Sequence, residues 1–211
     1  MAAAPKKKTP KRKTDTRTTN DKLIDAALDL AAERPWRSLS LPEIADHAKV
    51  PVGEALMSLP GRTHIQRALI DRVDAEVFGS LKDDPLDGTV KDKLFDILMR
   101  RFDALDGRQA ALGSMARDAP RDPLGSACLG VRFLKSMALS LQAAGVSSEG
   151  CKGTLRTKAL AVIQMNASRV WMHDDDPGLA RTMAALDKGL ARAEKLAAGK
   201  PRPSPEQPKP L

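Results

Sequence analysis

The sequence predicts an all-α protein, and three observations carry that prediction. Apolar residues recur at spacings of three and four along most of the chain, and no segment alternates with period two. Aromatic residues make up only 3% and tyrosine is absent, whereas the strands of a sandwich or barrel favour rings. Ser or Thr followed three residues later by Glu or Gln stands just before apolar stripes, which marks helix starts.

About nine helices follow in order. The first spans about Asn20 to Glu33, with Leu23, Ile24, Ala27, Leu28 and Ala31 on one stripe, and Pro35-Trp36-Arg37 breaks it. Ser40-Leu41-Pro42-Glu43 opens a second, short helix to about Ala48, with serine as N-cap and glutamate closing a capping box. A third runs from about Val52 to Leu59 and stops at Pro60-Gly61. Thr63-His64-Ile65-Gln66 reads as another capping box, opening a fourth helix to about Leu81. After a polar turn at 82–88 come helices over about Thr89–Leu105, Arg108–Arg117 and Pro123–Ala144. The last two cover about Glu149–His173 and Pro177–Ala198, joined by Asp176-Pro177 as N-cap and first helical residue. In the final helix Met183, Leu186, Leu190, Ala193 and Ala197 form a packing seam.

The net charge of +8 is confined to the ends. Residues 1–20 hold seven cations, Lys6, Lys7, Lys8, Lys11, Arg12, Lys13 and Arg17, against Asp15 alone. The last sixteen residues add an excess of two, and residues 21–195 balance at 25 cations and 25 anions. Composition predicts disordered ends: a Lys-rich arm at 1–17 and a proline-rich tail at 199–211. A basic arm ahead of a folded domain suits phosphate binding, because each neutralised phosphate releases counterions. No apolar run approaches the ~18 residues of a membrane span, and no secretory signal is visible. Two cysteines, Cys128 and Cys151, suggest a reducing compartment, hence a cytoplasmic protein, with Cys128 placed in the core by its apolar stripe.

Short helices with breaks at Pro35 and Val50-Pro51 fit a helix-turn-helix. Leu23 to Glu33, Ser40-Leu41-Pro42-Glu43-Ile44-Ala45, Ala48-Lys49-Val50, Gly53, Leu59-Pro60 and Arg62 together resemble the Tet-repressor (TetR) family of transcriptional regulators. That resemblance implies a DNA-binding unit over 18–64, a ligand-sensing and dimerising bundle over 65–198, and a homodimer on double-stranded DNA. The charge of the arm gives Lys11, Arg12, Lys13 and Arg17 as phosphate contacts, and the resemblance adds DNA contacts from Ser40, Lys49, Val52, Gly53, Glu54, Met57, Ser58 and Arg62. It further implies dimerisation through the last two helices and a small apolar ligand, with Phe102, Met137, Val162 and Met165 as pocket candidates.

The departures are concentrated in the recognition helix. The family usually has Ser-Lys-Gly-Thr-Leu-Tyr-x-His-Phe, and this chain has Pro51-Val52-Gly53-Glu54-Ala55-Leu56-Met57-Ser58-Leu59, short of donors for base edges and phosphates. Thr157-Lys158-Ala159, Val170 to Asp176 and Thr182 to Lys188 are similar to ubiquinone-biosynthesis accessory proteins, which share the fold but bind an isoprenoid lipid. Two readings therefore stand: a DNA-binding regulator, or a TetR-fold accessory protein that no longer reads DNA. No Ser/His/Asp or Cys/His set stands out, so neither catalysis nor a cofactor is expected. His173-Asp174-Asp175-Asp176 reads as helix-start chemistry and not as a metal site.

Overall fold

The computed structural model describes residues 17–198. Among them are nine α-helices and two 3-10 turns, with no strand. The helices are α1 (Thr19–Glu33), α2 (Leu41–Ala48), α3 (Val52–Ser58), α4 (Arg62–Ser80), α5 (Val90–Asp103), α6 (Gln109–Asp118), α7 (Pro123–Ala143), α8 (Gly150–Trp171) and α9 (Ala180–Ala198). The 3-10 turns, Trp36–Ser38 and Ala119–Arg121, follow α1 and α6.

Helix starts follow local chemistry. The Ser40 hydroxyl accepts from the Glu43 amide, and the Glu43 carboxylate accepts the Ser40 N–H at 2.8 Å, so two end donors of α2 are satisfied together. Thr18 with Asp21 and Thr89 with Asp92 do the same for α1 and α5. At α4 the predicted Thr63 box does not form: the helix already begins at Arg62 with Gly61 as its cap, which leaves Thr63 inside the first turn. At α9 the start is later than Pro177, because Leu179 adopts φ 50° in the left-handed region and interrupts the helical path. Asp176 still accepts from the Gly178 and Ala180 amides, but the deeper cap is Asp174, which takes the Thr182 N–H and hydroxyl.

Leu23, Ile24, Leu28, Ile44, Ala55 and Ile65 close the small head formed by α1 to α3 and the start of α4. Ile97, Leu98, Phe102, Met137, Leu160, Trp171 and Leu186 fill the bundle, with the Phe102 and Trp171 rings 5.5 Å apart. Gly189 lets α9 press onto α8, since a Cβ there would sit 2.8 Å from an Ile163 methyl. A buried ion cluster joins three helices: Asp74 of α4 accepts from Arg101 of α5 at 2.5 Å, and from Arg132 and Ser136 of α7 at 2.6 Å each. Burial alone would raise the Asp74 carboxyl. The Ser136 hydroxyl and the two guanidiniums outweigh it and hold that carboxyl below the usual range.

Three expectations are corrected here. α7 is long and apolar enough, by length and composition, to cross a membrane, at a mean hydropathy of 1.2 over its best window. Only 28% of that window is buried, and Arg132 ties it to Asp71 and Asp74 of α4. Cys128 is exposed, because its stripe on α7 faces outward with Leu124 and Val131. The α9 seam is half used: Leu186 and Leu190 are buried, Ala193 partly so, while Met183 and Ala197 are exposed.

Candidate nucleic-acid interface

The turn between α2 and α3 is built on Lys49, which adopts φ 55° as the C-cap of α2 while the Val50 amide reaches back to the Ala45 carbonyl at 2.9 Å. This closing pattern usually uses glycine, which has no Cβ to clash. Val50, Ala55 and Leu59 then face inward and clamp α3 against the head. The opposite side of α3 is exposed: Val52, Gly53, Glu54, Leu56 and Met57 all stand out, Met57 at 88%.

Glu54 is held sideways. Its carboxylate accepts the Thr19 hydroxyl, which places the start of α1 beside α3. The described chain begins two residues ahead of this contact, at Arg17. Arg17 pairs with Asp25 at 3.1 Å; Lys11, Arg12 and Lys13 lie outside the described residues, as does the tail after Ala198.

Arg62 opens α4, but its guanidinium donates to the Arg37 carbonyl at 2.6 Å and the Trp36 carbonyl at 3.2 Å. It is thus exposed and partly committed to holding the α1–α2 connection. Ser40 is engaged in its cap, donating to Glu43 at 2.7 Å. That hydroxyl, the Ser40 amide and Arg34 hold the Glu43 carboxyl down to about 2. Lys49 is exposed and has no ion pair among the described residues, and Ser58 is partly buried. Sequence reasoning missed the Thr19–Glu54 contact, and it missed Leu56 as a member of this surface. The period of α3 contained the signal for Leu56, which is four residues from Val52.

Head and bundle are stitched through α6. The Trp36 amide donates to the Ser114 hydroxyl at 2.9 Å, that hydroxyl donates to the Arg34 carbonyl, and the Arg37 amide donates to Asp118 at 2.7 Å. A cleft of about 140 Å³ lies beside these bonds, lined by Trp36, Arg62, Asp118 and Arg121 among others. The four pocket candidates do not come together. Phe102 and Met137 are packed core, whereas Val162 and Met165 sit on the outer side of α8 at 57% and 50% exposure. α8 has apolar residues on two faces, and its own bundle uses the one carrying Leu160, Ala161 and Trp171.

A small helix-turn-helix head on a larger helical bundle is an architecture with solved counterparts. The fold is that of TetR-family structures. A TetR transcriptional regulator from Nitrosomonas europaea superposes with a TM-score of 0.70 at 19% identity, over 85% of this chain and 99% of that one. A TetR-family regulator from Streptomyces coelicolor gives 0.58 at 17% identity, over 86% and 85%. A third, from a Rhodococcus species, gives 0.57 at 19%, over 82% and 93%. No family model matches the sequence, and no curated protein does either.

Proposed function

We propose that this chain is a DNA-binding transcriptional regulator of TetR type, acting as a homodimer on double-stranded DNA. One observation carries the reading: the Thr19–Glu54 contact roots an arm of net positive charge beside α3, the outward helix of the helix-turn-helix. Lys49 and Arg62 bracket α3 at its two ends, so cations flank the helix on the chain at both sides. The bundle is the sensing part. A small apolar ligand that shifted α6 would pull on Ser114 and Asp118, and through them on the α1–α2 connection that orients the head.

A second reading draws on the same helix. Val52, Leu56 and Met57 expose carbon where donors would be expected, which favours an accessory protein that keeps the fold and binds an apolar partner. Duplex DNA binding measured across salt separates the two, using the full chain and a form lacking residues 1–17. A regulator keeps sequence preference without the arm. Complete loss with the arm, and no preference before it, assigns binding to the arm alone. No binding by either form at low salt overturns the regulator.

A further inference from the structure

We propose that α3 reads the C5 methyl groups of thymine in the major groove, through Val52, Leu56 and Met57. The inference rests on the DNA-binding reading and names what the head would recognise. Val52 and Leu56 are one helical turn apart on one flank of α3, Met57 lies about 100° further round and opposite the buried Ala55, and all three are exposed. None has a hydrogen-bonding group, and the carboxylate beside them, Glu54, is already taken by Thr19.

Among the base edges in the major groove, the thymine methyl is the only apolar group. The other edges are donors and acceptors. Pressing carbon against them strips their water without replacing it, so a G·C pair under Met57 is disfavoured by unpaired polar atoms. A methyl in the same place adds buried apolar contact. The unbranched thioether of Met57 can follow an irregular groove floor, and Gly53 lets the helix backbone approach closely. The methyl also marks which strand carries thymine, so A·T and T·A are told apart without a hydrogen bond.

The surroundings select DNA as the occupant of this face. The arm outside the described residues carries Lys6, Lys7, Lys8, Lys11, Arg12 and Lys13 against Asp15, and it enters the fold two residues from the Thr19 anchor. Lys49 and Arg37 have no carboxylate partner among the described residues, and Glu43 and Asp25 are neutralised by Arg34 and by Arg17 with Arg72, which leaves Asp46 and Glu54 as the carboxylates of α2 and α3 without a cation partner. α3 is seven residues long, which fits a major groove about 12 Å wide but offers little area to a lipid surface.

The experiment enriches random-sequence duplexes on the full-length protein. The recovered duplex is remade with deoxyuridine for thymidine and, separately, with 5-methylcytosine·guanine for thymine·adenine at the same positions. Removing a contacted methyl should weaken binding about fourfold, which corresponds to about 0.8 kcal/mol. 5-Methylcytosine should retain more affinity than plain cytosine at those positions. Met57→Ala, at a side chain 88% exposed and so without consequence for folding, should bring the thymidine-to-deoxyuridine ratio toward one. A recovered sequence indifferent to deoxyuridine overturns methyl reading and leaves DNA binding standing. Failure to enrich any sequence overturns both. Binding to phosphatidylglycerol vesicles that Met57→Ala weakens, with no duplex enriched, also overturns it and assigns the face to a membrane.

Discussion

Lys49 holds a backbone conformation that costs stability, and that cost can be separated from its proposed contact with DNA. Its φ of 55° is a conformation that glycine adopts freely and a lysine does not, at a cost of about 1–2 kcal/mol. Glycine would remove that strain but give back about 0.5–1 kcal/mol in chain entropy. Lys49→Gly is therefore expected to raise stability in urea by about 0.5–1 kcal/mol. If Lys49 meets a phosphate, the same change weakens binding to every duplex and lowers the salt slope by about one. A more stable variant with unaltered DNA affinity would remove Lys49 from the interface. Ser40 illustrates the converse, since its hydroxyl is spent on the α2 cap with Glu43. That partnership could be read from the Ser-Leu-Pro-Glu spacing alone. The left-handed turn at Lys49 could not, because no glycine marks it.

At the scale of elements, helix existence was legible and helix allegiance was not. Apolar period and capping residues placed each helix to within a few residues. The misses have local causes: Gly61 starts α4 before Thr63 can cap it, and Leu179 delays α9. Faces were harder to read. α8 is apolar on two sides, and nothing along its sequence says that Val162 and Met165 look outward while Leu160 and Trp171 look in. The Asp74 cluster was also invisible, since the partners of Asp74 lie 27 to 62 positions from it in the chain. It ties α4, whose N-terminus follows α3, to α5 and α7. Asp74→Ala leaves Arg101 buried without its carboxylate and should cost about 3–5 kcal/mol in urea unfolding. Because the Asp74 carboxyl is held below its ordinary 3.8, its contribution is complete above that pH and is lost as pH falls through the lowered value. The acid-induced loss of stability should accordingly shrink in Asp74→Asn, read as unfolding free energy at successive pH values. A loss of under 1 kcal/mol in the alanine variant, well short of the ~3 expected, would mean that Arg101 and Arg132 find water or new partners.

For the whole molecule, the distribution of exposed carbon bears on how two copies of the chain would meet. The family resemblance points to the last two helices, but the large apolar side chains that α9 exposes are Met183 and Leu196, fewer than on α7 or α8. Its buried side, Thr182, Leu186 and Leu190, faces its own bundle, Asp187 pairs with Lys91 of α5 at 2.6 Å, and Arg181, Lys188, Arg192 and Glu194 stand in solvent. Carbon is exposed instead on α7 and α8. The two helices pack on each other through a six-residue connection, and counting from that connection brings Leu139 and Leu155, and Val131 and Val162, to similar distances along the pair. Leu124 and Met165 extend the row at the far end, and all six are exposed, Val131 at 70%. A monomer rarely keeps so long an apolar row in water, and stable partners bury about 800 Å² each. The proposed dimer is therefore expected across α7 and α8, with α9 outside it. Val131→Glu and Val162→Glu are surface changes in the single chain, so each should fold with an unchanged helical circular dichroism spectrum. Each would bury a carboxylate twice in a two-fold interface, and sedimentation should show the dimer weakened at least about tenfold. Lys188→Glu, on the charged side of α9, should leave the dimer intact. Dissociation by the α9 change and not by the α7 or α8 changes would return the interface to the last two helices, and the exposed row would then need another partner.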